Sequence, residues 1–192
     1  MIGKAYQFFD NRIMEAVNVG VRTWNWTTGR TKKDLANGLL TVAPILEISG
    51  VSLIHPLASI PYLMFLVNSH QSQQDNERLE KKEINALNSG CLLNESEYLN
   101  KKRSGILYGG LSAIWFAPGG TTELGIIEGT GFGLRSLSHY VMRAEYLPPR
   151  KNVLSRAKDK LSEIVKEFKM PELPIPKPAI GCNYPNLYPE YN

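Results

Sequence analysis

Apolar residues fall into two long blocks, Gly38 to Val67 and Ser104 to Met142, and charged residues crowd into the three regions around them. Each block exceeds the ~20 apolar residues that can cross a bilayer as a helix. Each is also interrupted. Pro44, Gly50, Pro56 and Pro61 lie in the first, and Pro118-Gly119-Gly120 in the second. Proline removes a helical donor and clashes with the preceding turn, and glycine raises the cost of fixing the backbone. The pattern therefore predicts an all-α protein built on two helical hairpins, turning near Gly50 and near Pro118 to Gly120. One kinked span per block is the alternative.

The flanks have their own periodicity. Ala5, Phe9, Ile13, Val17 and Val21 recur every fourth residue, which predicts an amphipathic helix over 4–22. Residues 23–30 read as a loop with Trp24 and Trp26 beside Arg30, Lys32 and Lys33. A membrane interface favours that combination, and two Trp can equally close a soluble core. Between the blocks, 70–103 is a polar connector with six basic and six acidic side chains. A solvated helix is predicted over 75–88, ended by Gly90, with a second start near Asn94. After Pro148-Pro149, Leu154, Ala157, Leu161, Ile164 and Phe168 mark a third amphipathic helix over 152–169, too short for an independent coiled coil. Residues 170–192, rich in Pro, Tyr and Asn, read as an extended tail. The organisation expected is one helical domain over 1–169 followed by that tail, and 192 residues suffice for such a core.

Glycine adds a second pattern inside the later block. Gly125, Gly129 and Gly133 recur every four residues, as do Gly105 and Gly109. Such registers flatten a helix surface and let a neighbour approach closely. A loop too rich in glycine to be helical is the competing reading, since each Gly costs ~1 kcal/mol against Ala in an exposed helix.

Charge changes the picture little. The net charge of +4 comes from 22 basic and 18 acidic side chains, a mixture rather than a basic field, and no nucleic-acid partner is indicated. Lys and Arg number six before the first block, six in the connector and nine after the second block. With one span per block, the termini would be cytoplasmic by a weak margin. With a hairpin per block, all three polar regions share one side, and this fits the weak asymmetry better. Each half is short for a full crossing, so shallow insertion and a soluble four-helix core both stay open. Charges at Lys4, Asp10, Arg12 and Glu15 interrupt the start of the chain where a secretory signal would be apolar. Cys91 and Cys182 are far apart and without a CxxC spacing, so they read as plain thiols.

The candidate chemistry is a stripe of ionisable residues within the apolar blocks. Glu128, Arg135 and His139 follow at spacings of seven and four, which puts them on one helical face beside the glycines. Glu47 lies in the other block, with His55 eight residues further on. In lipid such residues need one another or a water-filled cavity and become suspects for ion or proton handling. The structural reading is a pairing that fixes helix register. With three His in the chain and no HExxH, GxSxG, P-loop or GxGxxG pattern, no metal, cofactor or enzymatic activity is predicted. The function expected is that of a small membrane-embedded helical protein acting by self-association, through its glycine faces, or by binding a protein partner. The alternatives are an ion- or proton-handling transport component and a soluble, cytoplasmic adaptor or structural subunit.

Overall fold

The computed structural model describes residues 2–52, 57, 60, 62–119 and 122–167. Among them all regular structure is helical. Six α-helices follow in order: α1 (Ile2–Thr28), α2 (Lys32–Ser52), α3 (Leu63–Asn88), α4 (Leu99–Gly119), α5 (Glu123–Arg143) and α6 (Val153–Glu167), with a 3-10 turn at Glu95–Tyr98 leading into α4. The chain divides into two compact units between Ser155 and Arg156.

In the first unit α5 is the central helix, packed against α2 on one side and α4 on the other, with α3 against α2. Interhelical contacts give the directions. Asn37 meets Asn76 while Lys32 meets Glu83, so α2 and α3 run antiparallel. Gly105 abuts Tyr140, Gly109 abuts Ser136 and Ser112 donates to the Gly129 carbonyl, so α4 and α5 do too. The end of α2, the start of α3, the end of α4 and the start of α5 consequently share one end of the bundle. The start of α2, the end of α3, the start of α4 and the end of α5 share the other, where α1 joins them.

Local chemistry explains where the helices stop. Thr122 caps α5 by accepting from the Gly125 N–H at 3.2 Å, Glu123 sits in its first turn and Arg143 in its last. Both charges complement the helix dipole. Asn94 caps the 3-10 turn through Ser96. Gly29 ends α1 at φ +75, and a Cβ there would lie 1.9 Å from the Arg150 carbonyl oxygen. Only glycine supplies both that backbone and that space, and the Arg150 N–H donates back to the Gly29 carbonyl at 2.9 Å.

Three boundaries differ from the sequence reading. The expected loop at 23–30 is helical through Thr28, so Trp24 and Trp26 lie on α1. The first hairpin does not turn at Gly50, which is buried within α2, and Pro44 is also buried inside that helix. A glycine pressed against another helix loses its helix-breaking exposure to water, and a single proline forfeits one backbone bond without ending a well-packed helix. His70, read as part of a polar loop, sits on α3, exposed, 3.0 Å from Gln74. The predicted helix over 75–88 is the last half of α3, and Gly90 follows its end at φ +68. His55, Cys182 and the expected tail lie outside the described residues.

Candidate functional site: a charged interior

Reading α2 by burial gives Lys32, Ala36, Leu40, Ala43, Pro44, Glu47, Gly50 and Val51 on one buried stripe. The inward stripe of α5 contains Glu128, Gly131, Arg135 and His139. The antiparallel contact of these two helices brings Glu47 to Arg135. Both side chains are fully buried. Arg135 Nε donates to Glu47 Oε1 at 2.9 Å and Nη2 to Oε2 at 2.6 Å, the two-pronged geometry that a planar guanidinium offers a carboxylate. Its Nη1 donates to Ser69 Oγ on α3 at 2.9 Å. The rings of Phe65 and Tyr108 lie 5.2 Å from the guanidinium carbon, so the cation is bounded by π faces where it is not hydrogen-bonded.

Glu128 and His139 extend this line in opposite directions along α5. Glu128 is fully buried, and neither carboxylate oxygen has a hydrogen-bond partner among the described residues, although the group approaches the backbone of Val51. Its chain lies flat on α2 because Gly50 has no side chain. A Cβ there would come within 2.6 Å of Glu128 Oε1. His139 stacks on Tyr108 at 5.6 Å with planes 5° apart, and neither ring nitrogen has a partner among the described residues.

The predicted glycine faces are occupied within the chain. Gly105 accommodates the Tyr140 ring, Gly109 the Ser136 hydroxyl, Gly129 the Phe116 ring and Gly133 the Ser112 hydroxyl, while Gly125 is buried on the same helix. Ser136 and Ser112 donate across this seam to the carbonyls of Gly105 and Gly129, each at 2.7 Å. Bare glycine backbone is what lets a hydroxyl on the facing helix reach those carbonyls.

A second charged cluster gathers where the polar regions meet. Lys32 is buried, pairs with Glu83 at 2.6 Å and donates to the Ala144 carbonyl, while Tyr98 donates to the same Glu83 oxygen. Lys33 pairs with Glu80 at 2.8 Å. Asp10 of α1 receives both terminal nitrogens of Arg143 at 2.8 and 2.9 Å, with Lys102 at 3.2 Å. The Arg143 hydrogen bond holds the Asp10 carboxyl below its usual range against the opposing effect of burial. Lys101 donates to Asn76 Oδ1 at 2.6 Å, and burial pushes its ammonium down to about 8. Sequence reasoning passed over this cluster, although Lys32 repeats at helical spacing with Ala36, Leu40, Ala43 and Glu47, a signal that places it inside.

Among the described residues no three His, Cys, Asp or Glu side chains converge to hold a metal. Compared with known proteins, the chain matches no family model, no curated protein and no solved structure.

Proposed function

We propose that the chain is a membrane-embedded helical protein that acts by association, through the outer surface of its two hairpins. The observation that carries this reading is an inversion of polarity across the bundle. Glu47, Arg135 and Glu128 have no exposed surface, while Ile45, Met64, Val67, Leu107 and Ile114 are more than half exposed. In water that arrangement wastes apolar burial and desolvates charge. In lipid both terms change sign, since apolar side chains meet acyl chains and charges find one another inside.

Length sets the depth. The apolar stretch of α4, Ser104 to Gly119, rises about 24 Å, and that of α2, Gly38 to Ser52, about 22 Å, against about 30 Å of hydrocarbon. Among the described residues one helix, Lys32–Ser52, is by length and composition able to cross a membrane, a property shared with core helices of soluble proteins. Hairpins entering from one side, with α1 and its exposed Phe8 and Phe9 at the interface, suit these lengths. Since α4–α5 packing occupies the glycine seams, association with a second copy or another protein uses the exposed faces of α2, α3 and α4. An apolar cleft of about 500 Å³ between α1, α2 and α5, lined by Val17, Val21, Trp24, Leu35, Leu39 and Leu137, adds to that surface. The short apolar lengths also favour a second reading, a soluble subunit whose outer face is covered by other chains of an assembly.

Cell fractionation tests the choice. The expected outcome is recovery in the membrane pellet, resistant to high salt and released by detergent. Recovery without detergent as a defined soluble species ends the membrane reading. A soluble species obtained only with a co-purifying partner supports the subunit.

A further inference from the structure

Glu128 stands out in the interior because the Glu47–Arg135 pair beside it is complete without it. Arg135 uses Nε and Nη2 on Glu47 and Nη1 on Ser69. Among the described residues the charged group within electrostatic reach of Glu128 is Glu47 from α2, itself paired with Arg135 two turns along α5, and Tyr62 before α3 is the neutral titratable group that senses both carboxyls. Two carboxyls and one guanidinium leave one negative charge uncompensated in a place from which water is excluded, a condition strongly disfavoured for a carboxylate. A metal ion would need about six oxygen ligands, which the described residues do not bring together. A proton needs one oxygen, and among the described residues no side chain bonds to either oxygen of Glu128, with only the Val51 backbone alongside.

We propose that Glu128 is a proton-binding site, and that departure of its proton sets Glu128 in competition with Glu47 for Arg135. The path for that competition is short. Glu128 and Arg135 lie two helical turns apart on one face. Gly131 lies between them without a side chain; a Cβ there would stand 2.8 Å from Glu47 Cγ. Proton binding therefore acts on the α2–α5 contact that centres the bundle. The proposal concerns the interior alone and stands whatever covers the outer face, so its failure and that of the fractionation test are distinguishable.

Infrared difference spectra of the purified full-length chain test it, taken as pH is raised from about 6 to about 9. The expected result is a carbonyl band of a protonated carboxylic acid that is present at the acid end, fades on raising the pH and is missing in Glu128→Gln. Over the same range the thermal midpoint of the natural chain should fall by several degrees relative to Glu128→Gln. The difference between the two is the readout, because Lys101 titrates in both. Glu47→Gln, which frees Arg135 for Glu128, should move the loss of the band to lower pH. Absence of the band from the natural chain throughout the range overturns the proposal, as does its persistence in Glu128→Gln. If that variant fails to fold, the natural chain and Glu47→Gln decide: a band that Glu47→Gln does not move is equally fatal.

Discussion

The Glu47–Arg135 pair and the Asp10–Arg143–Lys102 cluster both join distant parts of the chain through guanidinium and carboxylate, yet they sit in different surroundings. The first has no exposed surface on either side chain and is closed by Ser69 and two aromatic faces. In the second, Asp10 is buried but Arg143 and Lys102 are partly exposed. A desolvated pair is costly to break and contributes little net stability over an apolar replacement, so holding α2 and α5 in one register is the effect expected of it. A partly solvated cluster is cheaper to break and answers to acid and salt, so it fastens α1 reversibly.

The largest effect should come from breaking the interior pair on one side only. Arg135→Met leaves Glu47 buried without its cation and should cost about 3–5 kcal/mol in chemical denaturation. Adding Glu47→Gln should recover most of that loss. A double variant as unstable as the single one would show that the pair contributes net stability and not register alone. Next in size, Gly50→Ala puts a methyl group against Glu128 Oε1 and should cost about 1–3 kcal/mol by overpacking. The same change at Gly20, which has open space around its Cβ position, should be neutral or slightly stabilising through helix propensity.

At the other cluster, Asp10→Asn should cost about 1–2 kcal/mol at neutral pH, read as earlier loss of α1 in hydrogen exchange. The sign of its pH dependence follows from the shift. The folded-state value of Asp10 lies below 3.8, so its contribution is complete above the unfolded value and disappears as pH falls through the folded one. Acid should therefore release α1 while the interior stays closed, and Asp10→Asn should remove that acid step. The smallest effect belongs to the exposed Arg22–Glu145 pair, where Arg22→Ala should change stability by no more than about 0.5 kcal/mol, an effect that added salt should shrink further.

How much of this was legible in sequence depended on the range of the interaction. The all-helical class, the capping of α5 by Thr122 and the common burial of Glu128, Arg135 and His139 along α5 are local properties of period and capping, whereas the break expected from Pro118 onward is helical through Gly119. The position of the first turn was not, because Gly50 reads as a breaker until the Glu128 side chain is known to fill the space beside it. Trp24 and Trp26 resembled a loop through their company of Thr and Asn, whose hydroxyl groups on Thr23, Thr27 and Thr28 instead bond back to α1's own carbonyls. The partner of Arg135 was beyond any periodicity, since Glu47 was named as a candidate but nothing in its own block points to a cation in the other.

The separation of Glu47 from Arg135 by 88 residues also bears on how the protein is made. On the ribosome the first hairpin is finished long before α5 exists, and it carries Glu47 with no cation to meet it. That hairpin cannot complete its burial alone. Its closure awaits the last of the four bundle helices, so assembly of the bundle is a late and concerted event in biosynthesis, and a chain interrupted before Arg135 would be left with an open interior for quality control to detect.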